Sequence, residues 1–261
     1  MNYPVPVYLT PFILAGMALV ITSVLLGLRR ALARAAWPET DRSQAFWGLS
    51  AILIGWFAVA AVMSIAGVYQ RPVAGIPSVP IGLLTPIVLG LALFLSSPLL
   101  RRVLAIIPNS WLVGVQFYRA LGVIFLILYA GGHLPGLFAL PAGIGDVLVG
   151  ILAPFAAAAY ARSPQSAVSR VRLWNLLGLS DLTIAVTTGF LTSPSPFQVA
   201  AFDRPSTLIG VFPLVLIPVF AVPLSILLHF ASLRKLQQDQ VAGYRAQASE
   251  QIGSGGHRAI G

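Results

Sequence analysis

Seven runs of apolar residues dominate the chain, near residues 8–28, 46–69, 81–99, 110–131, 142–161, 171–192 and 207–231. A helix needs roughly 20 apolar residues to cross a bilayer, and each run has about that length. The connections are short, which makes consecutive helices antiparallel neighbours. The pattern predicts an all-α, integral membrane bundle of seven transmembrane helices over residues 1–231. A cytoplasmic tail over 232–261 would follow, partly helical with Leu233, Leu236 and Val241 on one side, then disordered after Gly253. The first run lacks a basic leader and ends in Arg29-Arg30 rather than a small-residue cleavage site. It therefore reads as a retained anchor.

Gly and Pro mark the interruptions. Segment 70–80 reads as a Pro/Gly turn, and 193–206 as an outer cap without regular structure. Segment 100–108 is a short basic stretch along the inner surface. Between Gly131 and Asp146, glycine and proline are too dense for an uninterrupted helix. That stretch reads as a loop or broken helix dipping into the outer leaflet, with Asp146 near the start of the next helix. Such backbone is tolerated only where protein covers it or water reaches it. In the seventh run, Pro213, Pro218 and Pro223 each remove a backbone hydrogen bond and permit a kink.

Charge orients the bundle. Thirteen of the sixteen Lys and Arg residues follow the first, third, fifth and seventh runs, while the opposite loops carry only Arg71 and Arg204. Cytoplasmic loops collect positive residues, so the N-terminus is expected outside and the C-terminus in the cytoplasm of a plasma (inner) membrane protein. Trp37, Trp47, Trp111, Tyr160 and Trp174 would form an inner aromatic belt, Tyr8, Tyr69 and Tyr129 an outer one, with Trp56 packed between helices. The hydrophobic fraction of 57% and charged fraction of 9% are a membrane composition. The net charge of +9 is explained by topology and favours anionic lipid; with no aromatic-rich basic patch, nucleic acid is not an expected partner. No cysteine is present, which excludes disulfides, thiolate metal sites and cysteine nucleophiles.

The remaining cation, Arg119, sits inside the fourth run and is the main chemical clue. A charge at the bilayer centre costs at least about 2.5–3.5 kcal/mol on insertion scales and needs a partner. Asp181, at similar depth in the sixth run, is its natural counter-ion, and Asp146 is positioned to complete a triad. Gln116, one turn before Arg119, and Tyr118 could supply hydrogen bonds. These five residues form the candidate ligand-binding set. Asn175, His133 and His229 are secondary candidates: Asn175 turns away from Asp181 and suits a helix–helix contact, and His229 reads as an interface residue at the inner end of the last span.

Several chemistries drop out. The only lysine, Lys235, lies beyond the last run, which argues against a retinal Schiff base. His133 and His229 fall at opposite faces and His257 in the tail, so neither a zinc set nor bis-His haem is expected, and no cofactor is assigned. Phosphate-loop, nucleophile-elbow and His-Glu-x-x-His motifs are absent. The leading expectation is binding or transport of a small molecule, ion or lipid, with Arg119 anchoring an anionic group or relaying a proton. The alternatives are a non-catalytic scaffold or sensor subunit that engages a protein partner, and an intramembrane enzyme using Asp146 and Asp181 as acid and base.

Overall fold

A computed structural model describes residues 5–72 and 77–256, with side chains through residue 241. Among the described residues the chain is helical without a strand. Helix α1 is Leu9–Ala33, α2 Glu39–Ile65, α3 Ser78–Ser96 and α4 Pro98–Ile106. The next rod is composite: α5 (Asn109–Gly114), a 3-10 segment (Val115–Gly122) and α6 (Val123–Ala130). Then come α7 (Gly136–Arg162), α8 (Pro164–Thr192), a short 3-10 turn (Thr207–Gly210), a π turn (Ile217–Ala221) and α9 (Val222–Gly256). The Pro/Gly turn expected over 70–80 falls partly on residues 73–76, outside the described residues. So does the tail from 257 on, although α9 continues three residues past Gly253.

Six of these rods are long and apolar enough to cross a membrane: α1, α2, α3, the composite Asn109–Ala130, α7 and Ile217–Val241. This is a membrane protein. Its lipid-facing wall is built from exposed apolar side chains such as Val62, Val88, Leu89 and Phe155, all more than half exposed. Helix α8 is as long as the others but carries Arg170, Arg172, Asn175 and Asp181 and does not join the apolar six.

Local chemistry explains the ends. Glu39 and Asp41 occupy the first turn of α2, where the helix dipole favours negative charge. Ser97 ends α3 and caps α4, its hydroxyl accepting from Leu100 N at 3.3 Å, with Pro98 at the first helical position. The basic stretch after the third run is thus a helix of its own. It buries Val103 and Leu104 and exposes Arg101 and Arg102, and Arg102 stacks over Trp37 at 4.3 Å. Trp56 packs between helices, 4.7 Å from Phe220. Trp174 and Tyr160 are buried rather than membrane-facing. Trp174 donates to Val149 O at 3.1 Å, so that indole serves helix packing, contrary to its assignment to the aromatic belt.

Two further boundaries differ from the sequence reading. Helix α7 begins at Gly136, so the Gly/Pro-rich stretch is a turn over 131–135 and regular helix from Gly136 on, and Asp146 lies in the third turn of α7, not at its cap. In lipid the backbone gains most by satisfying its own groups, and Pro141 forfeits only one bond. The small residues there are packing residues: a side chain at Gly143 would meet Leu126 at 2.7 Å. At the other end, the last spanning rod runs over Ile217–Val241 rather than 207–231. Pro213 lies in the turns that precede this rod and Pro218 in its opening π turn, and Ser232 and Leu236, assigned to the tail, are buried.

Candidate functional site

Arg119 projects from the 3-10 segment midway along the composite rod and is 3% exposed. Ten residues separate it from the Asn109 end, about 15 Å at 1.5 Å per residue. Its Nε donates to Asp146 Oδ1 on α7 at 2.8 Å, and Nη2 lies 2.8 Å from the same oxygen. Nη2 also donates to Asp181 Oδ2 on α8. Nη1 donates to Gly178 O at 3.3 Å and faces His229 Nε2 on α9 at 3.2 Å. A guanidinium has five N–H groups and no acceptor. Every nitrogen of Arg119 is therefore engaged, across three different helices.

That geometry fixes the state of His229. Arg119 offers only donors, so His229 Nε2 must accept, and the ring proton must sit on Nδ1. Nδ1 then donates to Asn175 Oδ1 at 2.9 Å. The Asn175 amide in turn donates to Ser232 Oγ at 3.0 Å and Val171 O at 2.9 Å. His229 is thus a neutral imidazole, fully buried and packed on Trp174 with ring centroids 4.9 Å apart. The charge count follows: one guanidinium and two carboxylates leave the cluster one negative charge in excess when all are ionised.

Close backbone approach makes this cluster possible. A Cβ at Gly145 would overlap the Asp181 carboxylate, one at Gly178 the His229 ring, and one at Gly150 the backbone at Ala120. Any larger residue at these three positions would hold the helices apart.

A cavity of about 50 Å³ opens beside the cluster. Arg119, Asp146, Tyr118 and Ser225 form its polar end; α1 supplies apolar wall residues including Phe12 and Met17. Tyr118 hydroxyl and Ser225 Oγ share a hydrogen bond of 2.7 Å. A buried water needs roughly 10–15 Å³ of such volume, so the space suits a few waters or a small ion and is far below a drug-sized site.

The remaining candidates lie elsewhere. Gln116 is fully buried, and among the described residues its amide makes no hydrogen bond to the cluster or to anything else. His133 sits in the turn between α6 and α7, where its backbone N–H donates to Leu128 O at 2.8 Å; it is not part of the cluster. Asn175 enters only through His229. Among the described residues no group of three or more His, Asp or Glu side chains could hold a metal ion.

The family model described as a domain of unknown function, DUF8737, matches residues 76–237, well over half of the chain. The chain belongs to the DUF8737 family. The matched stretch runs from α3 into α9 and contains Arg119, Asp146, Asp181, Asn175 and His229, so the whole DUF8737 cluster lies within it, while α1 and α2 precede it. No curated protein and no solved structure matches this DUF8737 chain.

Proposed function

We propose that this chain crosses the plasma membrane seven times, N-terminus outside and C-terminus cytoplasmic, and binds and translocates a small monovalent cation, proton or alkali ion, at the Arg119 cluster. The seventh span of this reading is α8. Its 29 residues would measure about 43 Å, and Asp181, its buried charge, is paired. The thirteen Lys and Arg residues on one side support the orientation.

The observation that carries the function is the uncompensated carboxylate. Asp146 and Asp181 share one guanidinium, and His229, held as a neutral imidazole, supplies no second positive charge. A low-dielectric interior makes an excess charge costly, and a bound cation or proton relieves it. An anionic ligand fits less well, because each Arg119 nitrogen already has a partner and an incoming anion would have to displace a carboxylate. The small cavity reaching Asp146 supports an ion rather than a large solute. The π turn Ile217–Ala221, a deformation common at functional sites, contributes two wall residues of that cavity, Ile217 and Ala221.

The test is flux. Protein reconstituted in liposomes under a pH gradient or a sodium gradient should dissipate one of them, and Asp181→Asn, which removes the excess charge and keeps the shape, should abolish that flux. Absence of both fluxes from folded wild-type protein, or unchanged flux in Asp181→Asn, would contradict the proposal.

A further inference from the structure

Midway along α9, at Lys235 and Asp239, lies a second and larger cavity, about 280 Å³, between the α4–α5 connection, the junction of α7 with α8, and α9. Five groups matter in it. Lys235 Nζ donates to Ala105 O at 2.8 Å and pairs with Asp239 Oδ1 at 3.3 Å. An ammonium has three N–H groups, so one remains. Tyr160 hydroxyl donates to Asp239 Oδ2 at 2.8 Å, which leaves lone pairs on both carboxylate oxygens. Asn109 is 2% exposed, and among the described residues neither its amide nitrogen nor its amide oxygen has a partner.

A buried primary amide short of hydrogen bonds is costly. Asn109 lines a cavity that also presents a spare ammonium N–H and a carboxylate. The donors and acceptors fall into two sets. Lys235 and the Asn109 NH2 suit an anion's oxygens. Asp239 and the Asn109 carbonyl suit a cation's N–H groups. A ligand with only negative charge would meet Asp239, and one with only positive charge would meet Lys235. The complementary ligand carries both.

The position narrows the source. The cavity lies where α7 ends at Arg162 and α8 begins at Pro164, beside α4 with its exposed Arg101 and Arg102. In the seven-span topology proposed above, on which this inference rests, these helix ends fall at the membrane–water boundary, the depth of phospholipid headgroups. We infer that this cavity binds an ammonium–phosphate zwitterion of the phosphatidylethanolamine type, the phosphate on Lys235 and Asn109 and the ammonium on Asp239.

The experiment is native mass spectrometry of the full chain in detergent micelles, with phosphatidylethanolamine, phosphatidylglycerol and phosphatidylcholine of identical acyl chains. Wild type should retain phosphatidylethanolamine about tenfold better than either other lipid, the scale of one charge-assisted hydrogen bond. Asp239→Asn should lower phosphatidylethanolamine to the phosphatidylcholine level, and Lys235→Gln should weaken retention of all three. Thermal unfolding of each variant reports folding separately, and neither substitution touches the Arg119 cluster. Displacement of the lipid by free phosphoethanolamine would assign recognition to the headgroup alone. Failure of phosphoethanolamine to displace a phosphatidylethanolamine adduct that still depends on Asp239 would make the intact lipid the ligand. Equal retention of the three lipids by wild type, or a preference that survives Asp239→Asn, would overturn the inference.

Discussion

Two cations, Arg119 and Lys235, each pair with aspartate, the first across helices and the second one turn along its own helix, yet they do opposite things with their hydrogen-bonding capacity. Arg119 is 2% exposed in its side chain and engages every nitrogen within the protein. Lys235, at 13%, keeps an N–H in reserve beside the Asn109 amide, which makes no hydrogen bond among the described residues. In the dry interior an unmet donor is expensive, so the guanidinium is saturated and what remains unmet is a charge. Nearer water the spare Lys235 N–H is cheap to leave unmet, so the cavity can keep that donor for a ligand. The saturated cluster therefore selects by charge, and the unsaturated cavity by hydrogen-bond pattern.

Breaking the cluster should have the largest effect. Arg119→Ala strands two buried carboxylates, and losing one partner of a buried pair costs about 3–5 kcal/mol. Denaturant titration in micelles should register that loss or a failure to fold; a stability within about 0.5 kcal/mol of wild type would mean the cluster is solvated. Next comes the space around it. Gly145→Ala drives a methyl into the Asp181 carboxylate and should destabilise by about 1–3 kcal/mol. Gly55→Ala on α2 meets nothing within 4 Å and should stabilise by about 0.5–1 kcal/mol. The same substitution thus takes opposite signs, measured by the same titration.

Smaller effects sharpen the contrast. His229→Phe leaves an Arg119 N–H and the Asn175 carbonyl unpaired, at about 1–3 kcal/mol. Combined with Asn175→Leu, it should fall short of additivity by about 0.5 kcal/mol or more, since the pair acts as one unit; simple additivity would separate His229 from Asn175. Least affected is Asp239→Asn. Its ion pair is 36% exposed on the aspartate side, so screening limits the stability change to about 1 kcal/mol or less even as lipid retention collapses.

Much of the architecture is legible from the chain, because apolar runs of bilayer length have little choice but to be helices. Arg119 stands out as a lone cation inside such a run, and matched depth points from it to Asp181. His229 is harder to see. Reading the last span as 207–231 puts it at the inner end, whereas the helical rod Ile217–Val241 puts it in the middle, facing Arg119. Pro213 looks like a kink within a span but lies before the rod, and Pro218 lies in the rod's opening π turn; the signal was the uninterrupted pattern after Pro223. Asp146 misleads in another way. Gly and Pro around Pro141 read as breakers by soluble-protein rules, while in lipid they permit close packing. The Lys235 cavity is invisible from sequence, because its groups come from three distant segments and Asn109 looks like an ordinary polar residue at a helix start.

With one carboxylate in excess, the Arg119 cluster should take up one positive charge. Solid-state NMR of the full chain in lipid bilayers, with the aspartate side-chain carbons labelled, tests this most directly. One of the Asp146 and Asp181 carboxyl signals should shift on titration with protons or sodium, and Asp181→Asn should abolish the response. If both carboxyls stay ionised and unmoved across the proton and sodium titrations, the cluster is a static brace and the cation account is wrong.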